Sequence, residues 1–400
     1  MDRGGFPEMR ETLTDVDGNL NIAEWSARSD DGDAGPAWSV QKDTLRGGTQ
    51  EGVERIRVDN GVLGFTVVPT RGMGLWEGRC GDVRLGWDSP VRGIVHPQYV
   101  SLLDGGGTGW LQGFGEWIAR CGLAWNGAPG DDQVWAPSGP ACIPLTLHGR
   151  AAYLPARRVE VAIGGDPAAI RIRGVVDEAA MFGPQLRLVT EISTVIGSST
   201  VTLADEIHNL GASPQEFQIL YHVNFGPPLL GNGTQAVTPA LRVTPRDRRA
   251  ARGDMKTWNR HGPPQAGFAE QVFYVELAAD AGGGTEVLLR NAAGDRGVSL
   301  AFPKRQLPCF TLWKNSQALA DGYVTGLEPG TNFPNHRAFE RSRGRVPLLE
   351  GGDVFRATLS LTVERDARSV ALAEERILRL TRGATTRLDA RPSPELSPYE

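Results

Sequence analysis

The strongest constraint on this chain is a texture that repeats along most of its length: short runs alternate apolar with polar residues, then break at Gly, Pro, Asn or Asp. Val53-Glu54-Arg55-Ile56-Arg57-Val58 is one such run and Ala169-Ile170-Arg171-Ile172-Arg173 another. A period of two sends alternate side chains to opposite faces, as in a half-buried strand. Comparable runs occupy 64–69, 158–163, 186–192, 199–203, 271–277, 285–289, 297–302 and 356–363. With 51 Gly and 27 Pro to punctuate them, the chain is predicted to be all-β, a large antiparallel β-sandwich with few short helices. The best helical spacing, Trp110 to Cys121, is weakened by Gly113 and Gly115, since glycine disfavours a helix interior.

No Pro/Ser-rich linker interrupts the strand series. One main domain over 51–380 is therefore expected, with a polar N-terminal segment, 1–50, packing on it and a polar tail, 381–400, after it. A net charge of −5 without a basic stripe argues against nucleic acid. The lack of an apolar leader, or of any run of about eighteen apolar residues, argues against a membrane partner and for a cytoplasmic location. Cys80, Cys121, Cys142 and Cys309 form no C-x-x-C pair. Reduced, buried thiols are expected in preference to a disulfide frame or a structural zinc site.

Four stretches carry residue types that do chemistry. In Gly326-Leu327-Glu328-Pro329-Gly330 an acid ends an apolar run, and Pro329 predicts that the strand stops there. Such a Glu is either a presented catalytic carboxylate or an ordinary solvated one. In Gln218-Ile219-Leu220-Tyr221-His222-Val223-Asn224-Phe225 a strand would put Ile219, Tyr221, Val223 and Phe225 on one face, with His222 and Asn224 on the other. A polar pair opposite a wholly apolar face suits a ligand cleft, or a structural His bonded to a neighbouring strand. His148 in Thr146-Leu147-His148-Gly149 shares a predicted strand face with Thr146, and Arg71 sits where the run 64–69 breaks; each also has a purely structural reading. The glycine-rich Asp104–Gly109 lacks the Gly-Lys-Ser/Thr ending of a phosphate loop. His96 and His208 have no metal-ligand spacing to His148, His222 or Glu328, so neither metal nor other cofactor is expected.

Taken in order, Thr70-Arg71-Gly72-Met73, Arg120-Cys121-Gly122-Leu123, Leu147-His148-Gly149-Arg150, Leu220-Tyr221-His222-Val223-Asn224-Phe225-Gly226, Leu312-Trp313-Lys314 and Gly326-Leu327-Glu328-Pro329-Gly330-Thr331-Asn332 resemble the galactose-mutarotase-like aldose 1-epimerase superfamily, nearest an uncharacterised bacterial branch. The resemblance covers roughly 50 to 365 and implies a β-supersandwich with one sugar cleft. It implies Glu328 as general base, His222 as general acid, and His148 and Arg71 as sugar contacts. Asn224, Trp313 and Lys314 lie in the same motifs and are further candidate contacts; Asp254 is the candidate for an acid that meets sugar hydroxyls. The central motif departs from the His-Pro-Tyr-Phe-Asn of better-known mutarotases, since Val223-Asn224-Phe225-Gly226 follows His222.

The function this implies is anomer interconversion of a small-molecule sugar by acid/base ring opening. Aldose–ketose isomerisation, carbon epimerisation and non-catalytic carbohydrate binding remain as alternatives on the same scaffold. Trp87, Trp110, Trp125 and Trp313 are candidates for a sugar platform, Arg71 and Lys314 would suit an acidic sugar, and a homodimer is the candidate assembly.

Overall fold

The alternating runs fold into two large sheets laid face to face, seen in a computed structural model that describes residues 6–30, 35–136 and 139–399. The smaller sheet runs from Gln235–Val237 at one edge, through the long strands Val354–Glu364, Thr200–Asn209, Gln185–Val195 and Ala169–Ala179, to Phe6–Asp15 and Leu20–Asn21 at the other. The larger sheet has at its centre Gln271–Leu277, Cys309–Asn315, Val324–Gly330, Gln218–Phe225 and Ile118–Leu123, adjacent in that order. Pairing between the named strands is antiparallel except where Arg242 and Val243 run parallel to Arg387 and Leu388, and an isolated parallel bridge joins Gly122 to Gly149.

Between the sheets lies the main core, built from the inward residues of each alternating run: Ile170, Ile172, Leu186 and Leu188 from one side, Ile219, Tyr221, Val223 and Phe225 from the other. Each such aliphatic or aromatic side chain contributes about 1.5–3 kcal/mol through burial. A second apolar cluster covers the opposite face of the larger sheet, where Leu220, Ala119, Cys121 and Val324 meet Trp87, Trp110 and Phe114 from the loops over it. The strand Gln218–Phe225 is therefore buried on both faces, and His222 and Asn224 sit inside the protein.

The described residues between 6 and 50 are woven into both sheets. Phe6–Asp15 pairs with Arg158–Gly165, and Ser39–Thr44 with Glu54–Asp59. In the C-terminal segment Leu396 is buried against Tyr274 and Phe333.

Four local expectations differ from the fold. The strand holding Glu328 does not stop at the acid but continues to Gly330. Its ladder to Gln218–Phe225 joins Leu220 to Gly330 and Val223 to Leu327, and skips Pro329, which has no N–H to give. The stretch Trp110–Cys121 is no helix: it divides into a 3-10 turn, Gly109–Gly113, and a strand, Ile118–Leu123. The strand before His148 ends at Leu145, and His148 occupies a turn at φ 58°, beyond the reach of a period-of-two argument. Cys142 is exposed, whereas Cys80, Cys121 and Cys309 are buried free thiols.

Candidate active site

Register brings the two central candidates together. With Leu220 opposite Gly330 and Val223 opposite Leu327, His222 stands opposite Glu328, and directly opposed residues on neighbouring strands share a face. His222 Nε2 lies 3.3 Å from Glu328 Oε1. Only 5% of His222 and 2% of Glu328 is exposed, so each protonation state is governed by burial.

Asn224, two residues along and on the same face, fixes the imidazole. Its amide nitrogen donates to the carbonyls of Glu116 and His222, which leaves Oδ1 to accept from His222 Nδ1 at 2.6 Å. Nδ1 therefore carries a proton, and Nε2 is the atom that titrates towards Glu328. Burial pushes the His222 pKa down to about 4, against the opposing pull of the Asn224 hydrogen bond and the Glu270 charge. Burial, with the charge of Glu270, raises Glu328 well above the usual carboxylate range, and Arg246 opposes it. Both shifts favour the proton residing on the carboxyl group.

The wall over this pair is aromatic. His222 has Phe114 at 5.1 Å, Trp313 at 5.2 Å and Trp110 at 6.2 Å between ring centroids. His148 reaches the same place from its turn, 5.6 Å from His222 and 5.0 Å from Trp110. Burial, then the neighbouring His222 charge, lowers its pKa to about 3. Several buried polar atoms here make no hydrogen bond: Glu328 Oε1, His148 Nδ1, the Trp110 indole nitrogen and the hydroxyl of Thr311, which opposes Glu328 from the strand on its other side.

Gly326 leaves room for the pair. A Cβ at this position would lie 2.6 Å from Glu328 Oε1 and 3.2 Å from His222 Cε1. Gly326→Ala is thus expected to displace the carboxylate and lower turnover by up to about 10²-fold, as small misplacements of reacting groups do. Steady-state rates beside a denaturation curve check this; a folded variant with wild-type turnover contradicts it.

The two candidate cations lie elsewhere. Arg71 is buried, with Nε on Glu116 Oε1 at 2.7 Å, the terminal nitrogens on the carbonyls of Val95 and Gly113, and its guanidinium over Tyr153. It pins the segment that carries Trp110 and Phe114. Lys314 follows Trp313 in the strand and points to the opposite face, where Nζ donates to the carbonyls of Trp258 and Arg260. Burial lowers its pKa to about 8.

Of the other candidates, Asp254 caps a turn through the Lys256 amide, His96 accepts from the Gln98 amide, and His208 pairs with Glu206. Trp125 donates its indole proton to the Thr146 carbonyl. Among the described residues no group of three or more His, Cys, Asp and Glu is placed to hold a metal ion. No helix among them is long and apolar enough to cross a membrane. Sequence reasoning missed Phe114, Glu116, Glu270 and Gly326. Only Gly326 carried a signal, as a glycine inside a strand where close approach is the usual reason.

Residues 50–363 match the model of a family described as a domain of unknown function, DUF4432. The chain belongs to the DUF4432 family. A Klebsiella pneumoniae protein provisionally named an aldose 1-epimerase has 35% sequence identity to this DUF4432 chain and a TM-score of 0.90, over 97% of this chain and 99% of that one. A galactose mutarotase-like protein from Clostridium acetobutylicum has a TM-score of 0.58 at 14% identity, over 86% of this chain and 100% of that one. An Escherichia coli protein, also provisionally named an aldose 1-epimerase, has 0.54 at 14%, over 78% and 100%. The two distant structures share the fold alone, the galactose-mutarotase-like β-sandwich. No curated protein sequence matches the chain significantly.

Proposed function

We propose that this DUF4432 protein is an isomerase of the aldose 1-epimerase type, interconverting the anomers of a monosaccharide without a cofactor. The observation that carries the proposal is the buried cross-strand pair, His222 Nε2 and Glu328 Oε1 at 3.3 Å, under an aromatic wall with unpaired polar atoms beside it. Apolar rings suit the C–H faces of a sugar, and a few convergent polar atoms suit its hydroxyls. The name given to the Klebsiella relative supports the same reaction type.

Ring opening needs the anomeric hydroxyl to lose a proton while the ring oxygen gains one. The shared proton, which rests on Glu328, first passes to His222 Nε2 across the 3.3 Å contact. In that ion-paired form the Glu328 carboxylate takes the proton from O1, and the His222 imidazolium delivers its Nε2 proton to the ring oxygen. The C1–ring oxygen bond breaks as C1=O1 forms. Rotation about C1–C2 presents the other carbonyl face, and the same transfers in reverse close the ring as the other anomer. The pair holds one proton before and after; opening moves it, in effect, from His222 to Glu328. Asn224 keeps Nδ1 protonated, so that only Nε2 exchanges.

In this reading His148 and Trp313 contact the sugar. The charges of Arg71 and Lys314 are spent on protein partners, so the proposed substrate is an uncharged sugar. The protein is tested by following anomer interconversion by NMR across uncharged aldoses, a uronic acid and a sugar phosphate. Acceleration of at least one uncharged aldose, with no new sugar formed, is expected. Formation of a different sugar would replace the proposal with carbon isomerisation, and no acceleration of any sugar would end it.

Proton count also sets the pH dependence. Below about pH 4 His222 takes a second proton onto the pair, and above the raised pKa of Glu328 the last proton leaves. Activity is expected to be bell-shaped, belonging to the one-proton pair rather than to either residue alone. A profile that rises or falls monotonically across both limbs contradicts the pair acting together.

A further inference from the structure

Trp313 is half-buried, and its indole N–H does not end in solvent. It donates to Glu270 Oε2 at 2.7 Å. Glu270 immediately precedes the strand Gln271–Leu277, which pairs with the strand of Trp313, and its other oxygen accepts from the Arg246 guanidinium at 2.8 Å. Arg246 is held in turn. Its amide donates to the Val272 carbonyl, its guanidinium also meets Asp247 at 3.1 Å, and it lies 5.7 Å from the Tyr399 ring. The hydroxyl of Ser397 donates to the Arg246 carbonyl. A continuous series of contacts thus leads from the C-terminal segment through Arg246 and Glu270 to the Trp313 ring, which stands edge-on to His222 at 5.2 Å and 74°.

We propose that Glu270 is a positioning residue for the His222–Glu328 pair, anchored by Arg246 and acting on the pair through the Trp313 ring. An isolated exposed Glu–Arg pair is worth little. This one is different in what it holds: the charged acceptor fixes one orientation of a large, rigid ring, and that ring closes one side of the space over His222. The proposal rests on the reading of His222 and Glu328 as the reacting groups.

Glu270 also contributes charge. Its carboxylate raises both His222 and Glu328, and Arg246 partly offsets it at Glu328. The other titratable groups around the pair are His148 from the turn after Leu145, Cys121 from the strand Ile118–Leu123, Tyr274 from Gln271–Leu277, and Glu116, which is tied to Arg71. Glu270 differs from these in joining the site through a ring that touches His222.

Two variants of the full chain separate anchor from charge. Glu270→Ala removes the acceptor, so the Trp313 ring is released and turnover falls by up to about 10²-fold, more than KM changes. Glu270→Gln keeps an oxygen for the indole but loses the charge, so both limbs of the pH profile move to lower pH. The Trp313 indole N–H resonance, assigned by its loss in Trp313→Phe, is expected to shift in Glu270→Ala and to stay near its wild-type position in Glu270→Gln. A resonance unmoved in Glu270→Ala overturns the anchor whatever the activity, and wild-type pH limbs in Glu270→Gln overturn the electrostatic part. A wild-type protein that accelerates no sugar defeats the function instead, and defeats with it any action of Glu270 on catalysis, while the indole shift still decides the anchor.

Discussion

Glu328→Gln is expected to lower turnover in anomer interconversion by about 10² to 10⁴-fold, the usual range for removing a positioned acid or base, while the sugar still binds. The amide keeps the shape of the carboxyl group and fits the space that Gly326 leaves. It cannot take the O1 proton, and without that transfer the ring-oxygen protonation by His222 has no counterpart. KM should move far less than kcat, because the aromatic wall, His148 and the hydroxyl of Thr311 are untouched. Binding is read by ligand-observed NMR and rate by exchange between anomer signals. If the variant binds sugar and interconverts it at the wild-type rate, Glu328 is not the base.

How much of this was legible in the sequence depends on the range of the interaction. Alternation along Gln218–Phe225 is local, so the split between the core-facing Tyr221 and the site-facing His222 could be read directly, and Gln271–Leu277 has the bounds its pattern predicts. The meeting of His222 with Glu328 could not be read from either strand. It is set by a register between segments far apart in the chain, and the resemblance to known sequences supplied the expectation instead. Pro329 misled for a related reason: a proline usually ends a strand's donor ladder, but here the missing donor faces a gap in the ladder. Charges misled most. Arg71 and Lys314 look like ligands for an acidic sugar until their partners are known, because a cation in sequence does not reveal whether Glu116 or a pair of carbonyls already holds it. His148 reached the site through a left-handed turn, a route that strand logic does not describe.

The strands that present His222 are also held by an ion pair that touches neither His222 nor Glu328. Arg120 and Tyr221 are paired across neighbouring strands, one residue from Ala119, Cys121 and His222, and both point into the core. Arg120 makes two bonds to Asp205, at 2.6 and 3.1 Å, with further bonds to the Met73 carbonyl and the Thr190 hydroxyl; the Tyr221 hydroxyl donates to Asp205 at 2.9 Å. Asp205 belongs to the smaller sheet and Arg120 to the larger, so the pair ties the two layers together in a place closed to water. Removing one partner leaves a buried charge without its counter-ion, which costs roughly 3–5 kcal/mol. Asp205→Ala should lose about that much in urea denaturation, with the Tyr221 hydroxyl orphaned as well. Replacing both members by apolar residues, Arg120→Met with Asp205→Leu, should cost less than the single change, because no unpaired charge remains. A single variant within 1 kcal/mol of wild type, on a scale where one kcal/mol is about fivefold in the folded-to-unfolded ratio, would show that water or another partner reaches Arg120. Asp205→Ala should also lower turnover in the fraction that stays folded, since the strands presenting His222 lose the contact that holds them to the sheet behind.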